Sequence, residues 1–350
     1  MKILRLYYRL PPLPGGMENH IAQLTKEQIK LGHDVSIYFN QGSCVTANDI
    51  QISKIPLFKI KPQFIGLLIF HFLVLVRLLI NSSKFDVVHI HGDWSAMVFS
   101  KLIKILVCAE KLVFTIHDQV SENIIQKKAL AIALLPVDVI FSTGYKTANQ
   151  LRQLTNKKVI VQPSGINEMF FTECNRKFEK EQLQVITVAN LVKKKNLGLL
   201  LDVAKDTPLL NFIIVGKGKE KTFLKNRVTN ESITNVKMLG YKNPKELQLL
   251  YCQSDIFLFT SFKEGTPTAV LEAMACGLPI ISSNAGGVKS ILDQNNCIIE
   301  QKSKTMFVEC LSKLDNNIGL RKRASVQNKI QSKKYTWRNV ARNMDKCLQN

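Results

Sequence analysis

Asp255-Ile-Phe-Leu-Phe-Thr-Ser-Phe-Lys-Glu-Gly-Thr-Pro-Thr-Ala-Val-Leu-Glu-Ala-Met-Ala-Cys-Gly-Leu-Pro-Ile-Ile-Ser282 reads as one complete strand–helix–strand unit. Its two apolar runs, Asp255–Phe259 and Pro279–Ser282, have the length of strands and bracket a stretch with helical punctuation. Thr266 is a candidate N-cap, Pro267 suits the first helical position and Gly277 ends the helix. Glu264 then falls in the loop at the helix mouth and Glu272 about one turn inside. Two carboxylates so placed can address different parts of one ligand, while amides near Gly265 and Thr266 face its anionic end.

Working outward, the same alternation fills the chain. Short apolar runs occur at Met1–Tyr8, Val35–Phe39, Phe85–Ile90, Lys111–Ile116, Val137–Ser142 and Lys158–Gln162. Between them lie helical spacings such as Met17, Ile21, Leu24 and Leu31. A second series runs through Gln184–Val188, Asn211–Val215, Val236–Leu239 and the quoted unit. Strands alternating with helices imply parallel sheets, and two series imply two doubly wound α/β domains facing each other across a cleft. We expect an N-terminal domain over 1–165, a polar linker over 166–182 and a C-terminal domain over 183–334. A last helix over 335–350 is expected to return to the first domain.

Length and composition agree. A chain of 350 residues exceeds one ordinary domain, and 46% apolar with 21% charged residues describes a globular protein. Eight cysteines show no C-x-x-C pair and no Cys/His metal spacing, so free thiols in a reducing cytosol are expected. Charge within the first six residues argues against a signal peptide. The net charge of +21 favours anionic partners. Its lysines are scattered, with no Arg-rich arm or base-stacking motif, which places an anionic membrane surface ahead of nucleic acid. Phe64–Ile80, nearly all apolar, admits three readings: a helix packed on a sheet, a surface helix dipping into lipid headgroups, or a span. His71 and Arg77 argue against the span.

Other chemistry-bearing residues sit at strand ends. Gly15 and Gly16 precede the first helix and let backbone approach a ligand. Val185–Val188 runs through Ala189 and Asn190 into Lys193, Lys194 and Lys195, which can neutralise a diphosphate. Ile213–Val215 precedes Gly216-Lys-Gly218, but the third glycine of a dinucleotide fingerprint is missing and no Walker loop occurs. His89, His91 and His117-Asp118 end two strands. No D-x-D or H-x-x-x-H pattern is present, so neither a metal nor a cofactor is expected.

In this order the segments resemble the family 4 retaining glycosyltransferases of GT-B fold, which carry two Rossmann-like domains. The likeness covers Pro14–His20, Leu31–Val35, Asp86–His91, His117-Asp118, Pro163–Asn167, Ala189–Lys195, Gly216–Glu220 and the E-x7-E segment. The resemblance implies that Lys195 meets the donor diphosphate and Glu272 the ribose. It puts Glu264 near the donor sugar, beside the amides of Gly265 and Thr266 and close to Pro267. Gly16 would approach the phosphates, and His117 would touch the sugar as a catalytic-site residue. One departure stands out: Ala189-Asn190 occupies the place of the family's Gly-Arg, so the arginine that shares the diphosphate is absent. Lys193 or Lys194 is the expected compensation.

The implied activity is a metal-independent, retaining transfer of a sugar from a nucleoside-diphosphate donor, UDP favoured, to a lipid-linked or saccharide acceptor in cell-surface polysaccharide synthesis. The implied location is cytoplasmic, peripheral on the inner face of the plasma membrane. The competing expectation is a catalytically impaired relic that binds a membrane surface. Hydrolysis is disfavoured, because Glu264 and Glu272 read as ligand binders within one domain rather than as carboxylates flanking a scissile bond.

Overall fold

The computed structural model describes residues 1–350 apart from 12, 14–15, 44–50, 57–62, 82, 93, 118–119, 122, 301–302 and 350. The chain divides into two units, Met1–Gly165 with Trp337–Asn350 and Ile166–Thr336.

In the first unit the strands are β1 (Lys2–Leu6), β2 (Asp34–Phe39), β3 (Gln51–Lys54), β4 (Val87–His91), β5 (Lys111–Ile116), β6 (Val139–Ser142) and β7 (Val159–Val161). They form one parallel sheet in the order β3-β2-β1-β4-β5-β6-β7. The helices are α1 (Gly16–Lys30), α2 (Gln63–Asn81), α3 (Ser100–Leu106), α4 (Ile124–Ala133) and α5 (Tyr145–Arg152). In the second unit β8 (Gln184–Val188), β9 (Asn211–Val215), β10 (Val236–Gly240), β11 (Ile256–Phe259), β12 (Ile280–Ser283) and β13 (Cys297–Ile299) pair in parallel in the order β10-β9-β8-β11-β12-β13. Its helices are α6 (Leu197–Asp206), α7 (Lys221–Asn230), α8 (Pro244–Gln253), α9 (Thr268–Ala275), α10 (Lys304–Asp315) and α11 (Ile318–Ser332). The final helix, α12 (Trp337–Gln349), packs in the first unit, where Trp337, Val340, Ala341, Met344 and Leu348 join the core formed with α1 and the sheet.

Central strands such as Val87–His91 are buried along their whole length, which is why they read as continuous apolar runs. Strand order reverses direction between β1 and β4 and again between β8 and β11. Loops leaving the carboxyl ends of neighbouring strands therefore diverge there and open a crevice.

Several expectations need correction. The segment 166–182 is not a free linker. Phe170 is buried in the second unit's core, and the Arg176 guanidinium donates to the carbonyls of Tyr251, Ser254, Cys276 and Gly277 at 2.6–3.3 Å. One side chain thereby satisfies the carbonyls that the ends of α8 and α9 leave over. Cys174 and Cys252 are joined in a disulfide rather than held as free thiols. Five other cysteines are free, and Cys44 lies outside the described residues. Strands β3 and β13 escaped the sequence reading because edge strands of four and three residues carry little periodic signal. Thr266 does not cap α9: Pro267 holds the N-cap position and the helix begins at Thr268.

The 64–80 segment is α2. Phe70, Val74 and Leu78 are buried in the first unit's core, whereas Phe72 (50%) and Leu79 (57%) on another face are exposed. Its length and composition would also suffice to cross a membrane.

Candidate functional site

The crevice at the β8/β11 reversal holds a cavity of about 260 Å³. Its walls include Asn190 and Lys195 from the loop after β8, Gly216 and Lys217 after β9, and Glu264, Thr266 and Pro267 ahead of α9. Glu272 of α9 closes it. Backbone hydrogen bonds fix these loops to one another. The Phe262 amide donates to the Lys194 carbonyl at 2.8 Å and the Thr260 hydroxyl to the Lys195 carbonyl at 2.9 Å, tying the lysine turn to the end of β11. The Leu191 amide donates to the Lys217 carbonyl at 2.9 Å. Gly216 is obligatory: at φ +145° a Cβ there would lie 1.8 Å from the Ala189 carbonyl oxygen.

Within this frame Lys195 Nζ lies 2.5 Å from Glu264 Oε1 and 5.9 Å over the Phe259 ring, with both charged side chains largely shielded. The pairing orients the ammonium. Burial pushes the Glu272 carboxyl up to about 7, against a smaller opposing effect of the Tyr251 hydroxyl, which donates to it at 3.2 Å. Glu272 is therefore half-ionised near neutrality, and it forms part of the cavity lining. Lys217 lies 4.8 Å from the Tyr241 ring centroid and adds a second cation to the lining.

The first unit carries a separate histidine cluster at the carboxyl ends of β4 and β5. His91 Nδ1 and His117 Nε2 share a hydrogen bond at 3.1 Å, His89 pairs with the Thr115 hydroxyl at 2.7 Å, and His20 with the Ser164 hydroxyl at 2.9 Å. The His20 and His117 rings meet edge to face at 4.7 Å. Burial lowers all four pKa values, that of His117 to about 4, so the cluster is neutral at physiological pH. The Nε2 atoms of His20 and His91 have no hydrogen-bond partner among the described residues. Neutral imidazoles of this kind accept or donate to hydroxyls without bringing charge.

Of the residues singled out in the sequence, Asn190, Lys195, Gly216, Glu264, Thr266, Pro267 and Glu272 line this cavity in the second unit, and Gly265 joins two of them. His117 and Gly16 belong to the first unit, Gly16 as the exposed first residue of α1. Gly15 and Asp118 lie outside the described residues. Lys193 and Lys194, expected to stand in for the missing arginine, are exposed and absent from the lining, where Lys217 and Lys242 appear instead. Sequence reasoning also missed Gly286. A Cβ there would lie 2.5 Å from that of Glu264, so the glycine makes room for the acidic loop. The adjacent Gly286-Gly287 pair after a strand was the available signal. As to metals, the sulfurs of Cys174, Cys252 and Cys276 come within 4.8 Å of one another, but two are joined in the disulfide and a ligand must be a thiolate.

Two family models match the chain, "Glycosyltransferase Family 4" over residues 14–169 and "Glycosyl transferases group 1" over 171–331. One subunit of the human phosphatidylinositol N-acetylglucosaminyltransferase is 28% identical over 96% of this chain and 73% of its own length. Solved structures share the fold. Sucrose-phosphate synthase from Thermosynechococcus elongatus has a TM-score of 0.82 at 15% identity, covering 99% of this chain and 98% of that one. Anabaena HepE in complex with UDP-glucose has a TM-score of 0.77 at 16% identity, covering 100% and 99%.

Proposed function

The chain belongs to glycosyltransferase family 4 with the GT-B fold, and from that premise we propose that it moves a sugar from a nucleoside-diphosphate donor to a lipid-borne acceptor. The observation that carries the reading is the convergence of Lys195, Glu264 and Glu272 on one cavity at the strand reversal. The ionised Glu272 accepts from vicinal ribose hydroxyls, each charge-assisted hydrogen bond contributing roughly 1.5–3 kcal/mol. Lys195 and Lys217 hold the diphosphate, and Glu264 with the Gly265 and Thr266 amides reaches toward the sugar. His117 is assigned to the sugar and acceptor side as a neutral hydrogen-bonding group.

In transfer the anomeric C–O bond breaks and its electron pair leaves with the diphosphate. The acceptor hydroxyl bonds to the anomeric carbon and gives its proton to a leaving phosphate oxygen on the same face, which retains configuration. Charge growing on the leaving group is met by cations fixed in advance, an effect worth about 10²–10³ in rate for each donor removed. UDP is the favoured carrier, with HepE's UDP-glucose complex as support. A lipid acceptor is favoured because the human relative is named for phosphatidylinositol and because the chain carries a charge of +21. Peripheral attachment to the inner face of the plasma membrane and a role in cell-surface saccharide assembly belong to the same proposal, with the positive charge as their support.

Asn190 sustains a second reading. Uncharged and exposed at the place of the family's arginine, it weakens the grip on a diphosphate, as in an impaired relic that keeps only a binding role. A thermal-shift titration with UDP, GDP and ADP beside Glu272→Ala separates the two. One nucleotide raising the midpoint, with loss of the effect in the variant, supports the donor site. No shift at millimolar concentration sinks it and leaves the relic.

A further inference from the structure

A second cavity, of about 630 Å³, opens in the first unit between α4 and the segment formed by the 3₁₀ turn Trp94–Met97 and α3. Trp94, Met97, Val98, Ile132, Ala133 and Leu135 give it apolar walls. Ile132 and Leu135 are 67% and 69% exposed, a costly way to leave aliphatic side chains unless something covers them. The apolar surface continues beyond the groove, since Phe64 of α2 lies 6.2 Å from the Trp94 ring and Phe72 lies 6.0 Å from Phe99.

Polar groups at the same groove specify its occupant further. Ser100, in the lining, has a fully buried Oγ with no hydrogen-bond partner among the described residues. Lys101 lies beside it, exposed and also in the lining. Helices α2, α3 and α4 contain no Asp or Glu but carry Arg77, Lys101, Lys104, Lys127 and Lys128, of which Lys104 alone is shown in an ion pair, with Asp138. Apolar walls, an unsatisfied hydroxyl and the single lining charge of Lys101 together suit an anionic amphiphile, with its chain in the groove and its head group at Ser100 and Lys101. A protein helix would satisfy the walls but not the Ser100 hydroxyl beside the Lys101 ammonium.

We propose that this groove binds one acyl chain of an anionic membrane phospholipid. The 3₁₀ turn begins three residues after His91, so the chain is held next to the histidine-bearing strand end. The assignment gives the lipid-acceptor reading a named site and rests on it, but its test does not involve transfer.

Trp94 and Trp337 are the only tryptophans in the sequence, and Trp337 is buried in the core beside α1, so Trp94 reports on the groove. The probe is 9,10-dibromostearate below its micellar concentration, whose bromines quench a tryptophan in contact. Saturable quenching is expected in the wild type, and its disappearance in Trp94→Phe. Affinity is expected to fall about tenfold in Ile132→Glu and about fivefold in Lys101→Glu, both exposed positions that leave the core intact. The uncharged methyl ester is expected to bind less tightly than the acid. Vesicles of phosphatidylcholine with brominated phosphatidylglycerol are then expected to quench Trp94 as the free acid does.

Quenching that is absent, unsaturable, unchanged in Ile132→Glu or equal for the methyl ester overturns the assignment. Quenching by the free acid but not by the vesicles overturns the phospholipid as occupant. The nucleotide-induced midpoint shift, which depends on the second unit, distinguishes failure of this inference from failure of the donor reading.

Discussion

Replacing Glu272 by Gln while varying pH tests the donor site through a property that the fold imposes. Burial brings the carboxyl to about 7, so its ionised fraction climbs across neutrality instead of being complete. If ribose hydroxyls bind the carboxylate, affinity follows that fraction, which is about a tenth near pH 6 and about nine tenths near pH 8. The nucleotide should therefore bind about tenfold more tightly at the higher pH, a difference of about 1.4 kcal/mol. The terminal phosphate of UDP itself titrates near about 6. Glu272→Gln retains that contribution and loses the carboxylate's, so the difference between the two proteins isolates Glu272. Calorimetric titration at three pH values measures both slopes. Equal slopes in wild type and variant would refute the assignment of Glu272 to the ribose.

Four further outcomes are expected. The folded-state pKa of Glu272 lies above its unfolded value, so its contribution to stability is present below about pH 4.5 and is lost as pH rises through about 7; Glu272→Gln should then unfold about 3 kcal/mol harder at pH 8, by denaturant titration. Lys195→Ala should lower turnover at least about 10²-fold, and an unchanged rate would remove its role at the diphosphate. Gly216→Ala should destabilise the second unit by about 2 kcal/mol or more, read as a lowered midpoint, because the new Cβ has no space and φ is +145°. The histidines stay neutral in the fold but charge in the unfolded chain, so their contribution is present above about 6.5 and is lost as pH falls below it, for His117 toward its folded value of about 4. His117 alone should cost the first unit about 2 kcal/mol at pH 5, seen as loss of hydrogen-exchange protection in β4 and β5.

Period and punctuation alone determined the two parallel α/β units, because buried central strands must be continuous apolar runs and crossover helices must be amphipathic. β5, β8 and β9 begin and end where the pattern does. The same punctuation exposed the cavity residues Lys195, Glu264 and Glu272, since strand ends and helix starts are local signals. Folding over longer range decided the rest. Nothing near Arg176 in the chain reveals that it will bond carbonyls up to 101 residues away, so a polar stretch that reads as a linker is packed structure. Gly286 and Lys217 became site residues only when β12 and β9 came to lie beside β11 and β8. The 17 residues of Phe64–Ile80, nearly all apolar, fixed a helix, but not which face the sheet would cover. Hydrophobicity has no direction along a sequence, and only packing assigned Phe70, Val74 and Leu78 to the core and left Phe72 and Leu79 in solvent.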